Sequence, residues 1–270
     1  MVFDSGLIRI GAFRCHPSHP SFHDSGPARH FCFVFPRTVV EIAHEHEPAF
    51  VANPNVVTFY NQGQPYLRNP VSPEGDRCDW FGVHVDLVRD VIRSFDPAVD
   101  ERPEAPFRCT HSWSDAGTYL LQRQVFQQVA SSAVQVLAVE ESVIRLLENV
   151  VRSAPASPPA IGIKQRDVLH HVKLILSQRL GQRLTLRDIA TEVEMSPYHL
   201  CRLFRRATGI TLHQYRQKLL LRWSLEGVAN SGRPLVDIAL DTGFSSHSHF
   251  TSAFRREFAD SPSHVRRAIS

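Results

Sequence analysis

The chain has 270 residues, 43% of them hydrophobic, and 30 Lys and Arg against 27 Asp and Glu give a formal net charge of +3. That length accommodates two ordinary domains with cores of their own. No apolar run approaches the roughly 18 residues of a membrane span, and Met1 to Arg14 lacks the basic start and long apolar stretch of a signal peptide.

Residues 1–30 are rich in His, Pro, Ser and Gly and show no clear period. Short β-branched and aromatic runs follow at 31–35, 39–44, 55–60 and 80–85. Pro36, Asn53-Pro54-Asn55, Asn61-Gln62-Gly63 and Ser72-Pro73-Glu74-Gly75-Asp76 separate them. Short strands divided by such turn chemistry predict an antiparallel sandwich or small barrel. At 86–95 the period changes, with Leu87, Val88, Val91 and Ile92 at helical spacing. A longer helical region covers 117–152. Leu120, Leu121, Val125, Val129 and Val136 form one apolar stripe, and Val139, Val143, Leu146, Leu147 and Val150 another, with a break expected at Ser131-Ser132. Two readings fit these stripes: helices that cover the barrel, or helices that pair between subunits.

Ser153 to Ala160 contains Pro155, Pro158 and Pro159 among small residues and reads as a linker between separable domains. The charge divides there too. Residues from Lys164 onward hold 17 Lys and Arg against 9 Asp and Glu, net +8, and those before it hold 13 and 18, net −5. Only the second part is therefore expected to meet phosphate. Cys15, Cys32, Cys78, Cys109 and Cys201 are scattered and odd in number, as expected of reduced thiols in a cytoplasmic protein.

The basic part states one pattern twice. Ile189-Ala190-Thr191-Glu192-Val193-Glu194-Met195-Ser196 is echoed 49 positions later by Ile238-Ala239-Leu240-Asp241-Thr242-Gly243-Phe244-Ser245. After one extra residue, Leu200, Phe204, Arg205 and Arg206 are echoed by Phe250, Phe254, Arg255 and Arg256. Each copy reads as a short helix, a tight turn, a capping Ser and a basic helix: a helix-turn-helix, whose second helix enters a DNA major groove. In the first copy, 186–193 is the supporting helix, Ser196 the N-cap, Pro197 the first helical residue and Gly209 the stop after Thr208. Leu200, Leu203 and Phe204 face inward, leaving Tyr198, His199, Cys201, Arg202 and Arg205 outside. An Arg one turn into such a helix can donate two hydrogen bonds to guanine, so Arg202 is the leading base reader, with a phosphate clamp or a solvated surface charge as the other reading. Arg205 and Arg206 suit phosphate.

In the second copy, 234–241 supports, Gly243 supplies the left-handed turn residue, and Ser245 or Ser246 caps a helix ending near Phe258. Phe250, Phe254 and Phe258 form its core stripe. His247, Ser248, His249, Thr251 and Ser252 are its candidate readers, and His249 equally fits a buried imidazole. Between the copies, 212–229 reads as one helix through Tyr215, Leu219, Leu220, Trp223 and Leu225, ~27 Å long, close to the ~34 Å of one DNA turn.

From Gln165 to Arg267 the sequence resembles the AraC/XylS family of bacterial transcription regulators. The resemblance rests on Leu186-x-x-Ile189-Ala190, Ser196-Pro197-x-x-Leu200-x-Arg202-x-Phe204 and Gly209, then on Ile238-Ala239-x-x-x-Gly243-Phe244-Ser245, Phe250-x-x-x-Phe254-Arg255-Arg256 and Ser261-Pro262. It implies base contacts at Tyr198, Cys201, Arg202, His247, Ser248, Thr251 and Ser252; Arg255 and Arg256 are further candidate DNA contacts, and Arg255 is expected to add affinity without reading sequence. Three positions depart from the family pattern. Glu194 stands where the first turn usually has Gly, at roughly 1 kcal/mol for a left-handed residue. Cys201 is a weak hydrogen-bonding group at a reader position. Val265 replaces an aromatic.

In the stretch from Ala52-Asn53-Pro54 to Tyr60, then at Tyr66 and from Pro70 to Cys78, the N-terminal part looks, more faintly, like the cupin-type sensor of such regulators. The resemblances together imply an α+β fold, with an N-terminal cupin-like antiparallel β-barrel and helices, then an all-α domain containing two helix-turn-helix motifs. They imply a sensor and dimerisation domain at 1–152, a linker at 153–163 and a DNA-binding domain at 164–270. The implied partners are double-stranded DNA, a small-molecule effector, a second copy of the chain and RNA polymerase, with no cofactor. Tyr60, Tyr66 and Trp80 are the candidate effector contacts, with plain core packing as the commoner role of aromatic strand residues.

A competing chemistry is a metal. His44-Glu45-His46-Glu47 on a strand would put His44 and His46 on one face, with His84 as a third ligand, giving a metal- or redox-responsive regulator. Phe50 stands where an acidic ligand would follow, and a polar strand end at the surface is the plainer reading. His16, His19, His23 and His30 form a loose N-terminal set. No nucleophile–base arrangement or phosphate-cradling Gly-rich loop is present, so the sequence reads as a non-enzyme.

Overall fold

The computed structural model describes residues 1–130, 134–154, 161–230 and 232–269, and the chain divides into two units, Met1–Ala156 and Ser157–Ser270. The expected break at Ser131-Ser132 and the prolines of the expected linker lie outside the described residues.

The first unit contains β1 (Phe3–Asp4), β2 (Ile8–Cys15), β3 (Cys32–Pro36), β4 (Val40–His44), β5 (Phe50–Ala52), β6 (Val56–Tyr60), β7 (Tyr66–Pro70), β8 (Asp76–Val83) and β9 (His111–Trp113). They form two antiparallel sheets, ordered β1-β2-β8-β3-β6-β9 and β5-β4-β7. The expected closed barrel is thereby corrected. The chain changes sheets after Pro36, at Asn53-Pro54-Asn55 and after Pro70, where prolines that lack an N–H end the ladders. The sheets face each other across an apolar layer in which Val34 and Tyr60 meet Val40, Ile42 and Phe50.

β2, unexpected from the sequence, pairs with β8 along its whole length, from Ile8 opposite Val83 to Cys15 opposite Asp76. Strand β8 has two functional faces. Asp76, Cys78 and Trp80 turn toward the small sheet, and Asp79 and Phe81 toward the helices α1 (Val85–Arg93), α2 (Ala116–Ala130) and α3 (Val136–Arg152). The rings of Phe33 and Phe81 stack at 5.2 Å, and Phe35 stands edge-on to Tyr119 of α2.

The buried face of α2 differs from the expected stripe. Tyr119, Gln122, Arg123, Val125 and Val129 are buried, whereas Leu120 and Leu121 are half-buried. Asp79 decides this: fully buried, it accepts a hydrogen bond from Arg123 at 2.8 Å and lies 3.5 Å from Arg37, so α2 turns its cation inward. The second stripe, from Val139 to Val150 on α3, is buried within the unit itself.

The second unit is helical: α4 (Ile163–Gln178), α5 (Leu186–Glu192), α6 (Pro197–Thr208), α7 (Leu212–Asn230), α8 (Leu235–Asp241), α9 (His247–Phe258) and α10 (Pro262–Ile269). Tyr215, Leu219 and Leu225 of α7 are buried as the period predicts, but Trp223 is partly exposed and Arg222 is buried instead. Glu257 of α9 explains the exchange, since it accepts from Lys218 at 2.5 Å and lies 3.8 Å from Arg222. Among the described residues no helix is long and apolar enough to cross a membrane.

Candidate nucleic-acid interface and N-terminal cavity

The two helix-turn-helix units are built by the same local chemistry. Thr185 caps α5 through a reciprocal box with Asp188. The chain then turns at Glu194, whose φ is +51°, and Met195 N–H donates to the Ala190 carbonyl at 2.9 Å. In the second unit Gly243 turns with φ +80°, and Phe244 N–H donates to the Ala239 carbonyl at 3.0 Å. Glu194 thus performs a glycine's turn with a side chain attached. The following helices are capped alike: the Ser196 hydroxyl accepts from His199 N–H at 3.2 Å, and the Ser246 hydroxyl from His249 N–H at 3.1 Å.

Leu200, Leu203 and Phe204 anchor α6, and Phe250, Ala253, Phe254 and Phe258 anchor α9. Tyr198, His199, Cys201, Arg202, Arg205 and Arg206 are all exposed, as are His247, Ser248, Ser252, Arg255 and Arg256. Thr251 is half-buried, and its hydroxyl has no hydrogen-bond partner. His249 is exposed rather than a buried imidazole, its Nδ1 lying 3.2 Å from the Ser245 hydroxyl.

Not all exposed cations are equivalent. Arg206 donates to the Gln165 side chain at 2.8 Å and ties α6 to α4. Arg202 stands over the Tyr198 ring at 5.6 Å and donates to its hydroxyl at 3.3 Å. That pairing presets the guanidinium by cation–π attraction and a hydrogen bond, one turn into the helix. α7, ~28 Å long at 1.5 Å per residue, connects the two units. Val265 is buried at the position where an aromatic was expected.

In the first unit a cavity of about 570 Å³ lies between the sheets. Tyr60, Tyr66 and Trp80 all line it. Three other features have no signal in the local sequence. Phe13 contributes a ring from β2, Gly11 leaves the space that Trp80 occupies, and a buried ion pair closes one end. In that pair Arg68 donates to Asp76 at 2.7 Å, and its guanidinium lies 4.6 Å from the centre of the Phe13 ring. Residues 8–15 do alternate around Ile8 and Ile10, but Gly11 and two arginines interrupt a short apolar signal.

The imidazoles proposed for a metal are not brought together. His44 is 3% exposed, its ring 4.9 Å from Tyr60. The Gln64 amide lies 3.1 Å from its Nδ1, and burial pushes its pKa down to about 4. The strand ends there: His46 sits in a turn at φ +64° with its side chain 91% exposed, and His84 precedes α1 beside Asp86. Strand alternation therefore does not carry His46 onto the face of His44, and neither histidine forms the expected polar strand end. Among the described residues no group of three His, Cys, Asp or Glu could hold a metal ion. All five cysteines are free thiols.

A family model described as a helix-turn-helix domain matches residues 189–268. The chain is similar to the right origin-binding protein of Escherichia coli (strain K12), 33% identical over 104 residues, which are 38% of this chain and 36% of that protein. It thus spans about a third of that relative's length. It is also similar to the regulatory protein SoxS of Salmonella typhimurium, 36% identical over 95 residues, covering 35% of this chain and 88% of that protein. A solved transcriptional regulator of Chromobacterium violaceum, described as having an AraC-type DNA-binding domain, is 27% identical with a TM-score of 0.38, covering 40% of this chain and 97% of that one.

Proposed function

Because the chain belongs to the AraC/XylS family of bacterial transcription regulators, we propose that it binds double-stranded DNA sequence-specifically through α6 and α9, under the control of a small molecule held in the N-terminal cavity. The observation that carries this reading is the duplicated geometry: two turns closed by the same hydrogen bond and two Ser-capped helices, each with its apolar face buried and its polar face open. Arg202, preset by Tyr198, reads a base, with Cys201 beside it. Arg205, Arg255 and Arg256 hold phosphates, giving affinity and salt dependence. His247, Ser248, Thr251 and Ser252 include no Arg or Lys and discriminate less sharply.

In this reading residues 1–152 are the sensor, a cupin-like unit opened into two sheets, and 164–270 the DNA reader. Tyr60, Tyr66 and Trp80 contact the effector, which acts by binding two states of the protein unequally. A second copy of the chain and RNA polymerase are the further partners in this reading. Selection from a random pool of duplexes with the full chain tests the reading. The expected product is a bipartite motif with halves about one turn, ~34 Å, apart; a pool that stays random at low salt overturns it.

A further inference from the structure

The cavity between the sheets is large, aromatic and electrically balanced, and the last property narrows what it can hold. Rings from both sheets face it, Phe13 and Trp80 on one side and Tyr66 on the other, and Tyr60 and Tyr66 meet edge-on at 4.9 Å. Among the described residues Arg68 is its only buried cation, and described residues already engage four of its five N–H groups: Asp76, the Phe22 and Ser21 carbonyls and the Ser25 hydroxyl. Asp76 stands at 2.7 Å and offsets the charge; burial raises its carboxyl, and the neighbouring guanidinium opposes that rise.

Apart from Met1 and Arg29, the remaining titratable lining is neutral at pH 7. Burial pushes the Cys32 thiol and the Tyr66 phenol up to about 12, and holds Cys78 and Tyr60 well above their ordinary values. His30 is lowered by burial and by Arg9 and Arg29. Met1 and Arg29, at the mouth, are exposed to solvent that screens their charge.

Resting on the reading of this cavity as the effector site, we propose that its ligand is an uncharged aromatic molecule of about two fused rings bearing one hydroxyl or carbonyl, with carboxylates and amines excluded. The rings stack among Phe13, Tyr66 and Trp80. The polar group takes the remaining Nη1 N–H of Arg68, which no described residue engages. A carboxylate there would share a single cation with Asp76 and leave one negative charge buried and unmatched; an ammonium would meet a carboxylate already paired.

Calorimetric titration of the full chain at pH 7 with 2-naphthol and 2-naphthoate, which share a ring system and differ in charge, tests this. The expected result is naphthol binding at least about tenfold more tightly, a difference of one decade in Kd. Naphthoate binding equally or better overturns the ligand class and leaves the cavity as the site. Binding of neither probe at its solubility limit overturns both. Ile42→Trp, filling the cavity, should abolish naphthol binding, with Val34→Phe on the opposite sheet as the alternative if that variant does not fold. Unchanged affinity in a folded filled variant overturns the location. Asp76→Asn should shift the preference toward naphthoate by exposing the Arg68 charge, and an unchanged ratio in the folded variant overturns the charge argument.

Discussion

The indole of Trp80 occupies the space that a side chain on Gly11 would need: a Cβ built on that backbone overlaps Cε2 and Cζ2 of the ring. The two residues face each other across the β2–β8 ladder. A wall of the cavity is therefore set by the absence of an atom on the neighbouring strand. Gly11→Ala is expected to push Trp80 into the cavity and to weaken cavity ligands by tenfold or more, about 1.4 kcal/mol. Tryptophan emission and ligand titration of the variant check this; unchanged binding would show that the ring has room to move.

Arg202→Ala should lose about 1–3 kcal/mol of discrimination at one base pair. Tyr198→Phe should lose part of that by freeing the guanidinium from its hydroxyl partner. Arg255→Ala should weaken all sequences alike and make the salt dependence shallower. Binding isotherms on selected and scrambled duplexes at two salt concentrations separate these outcomes. Equal losses on both duplexes for Arg202→Ala would contradict its role as a base reader.

Glu194 adopts at φ +51° the conformation that Gly243 adopts in the repeat. Replacing it with Gly removes the Cβ strain of a left-handed residue and should stabilise the C-terminal unit by about 1 kcal/mol. Its melting transition should rise by a few degrees. A fall would mean that the Glu side chain contributes more than the turn loses.

His44 supplies a pH dependence. Its folded pKa is about 4 against an ordinary 6.5, because burial penalises the imidazolium. Between those values the unfolded chain takes up a proton that the native chain refuses. Stability is therefore full above pH 6.5 and falls as pH drops toward 4, by about 3 kcal/mol from this group. In His44→Leu the decline over that window should be shallower. Asp76, raised by burial, works in the opposite direction and is common to both proteins. Urea denaturation at a series of pH values measures the difference, and parallel curves would remove His44 as the cause.

The helical unit was far more legible than the sheets, for reasons that lie in particular residues. Ser196-Pro197, Gly209 and Gly243 are local signals, each acting within a few residues of where it is written, and α6, α8 and α9 run close to where they place them. Trp223 and Leu120 were misplaced because a buried partner far away in sequence, Glu257 in one case and Asp79 in the other, pulled a cation into the expected apolar face. His46 was put on a strand that stops at His44, since the turn's left-handed residue is not a glycine. The cavity contacts Tyr60, Tyr66 and Trp80 were named from resemblance. Arg68, Phe13 and Gly11 escaped because their roles exist only once β2, β7 and β8 come together.

The clamp of Glu257 on Lys218 and Arg222 joins α9 to the helix that leads from α6. Under the proposed mode of binding it works as a caliper with a locked hinge. One base pair inserted between the two contacted grooves rotates the far groove by about 34° around the DNA axis, and a locked caliper cannot follow. The regulator would then be tuned to one spacing as strictly as to any base, and promoters that drift in length would escape it without changing a single contacted letter.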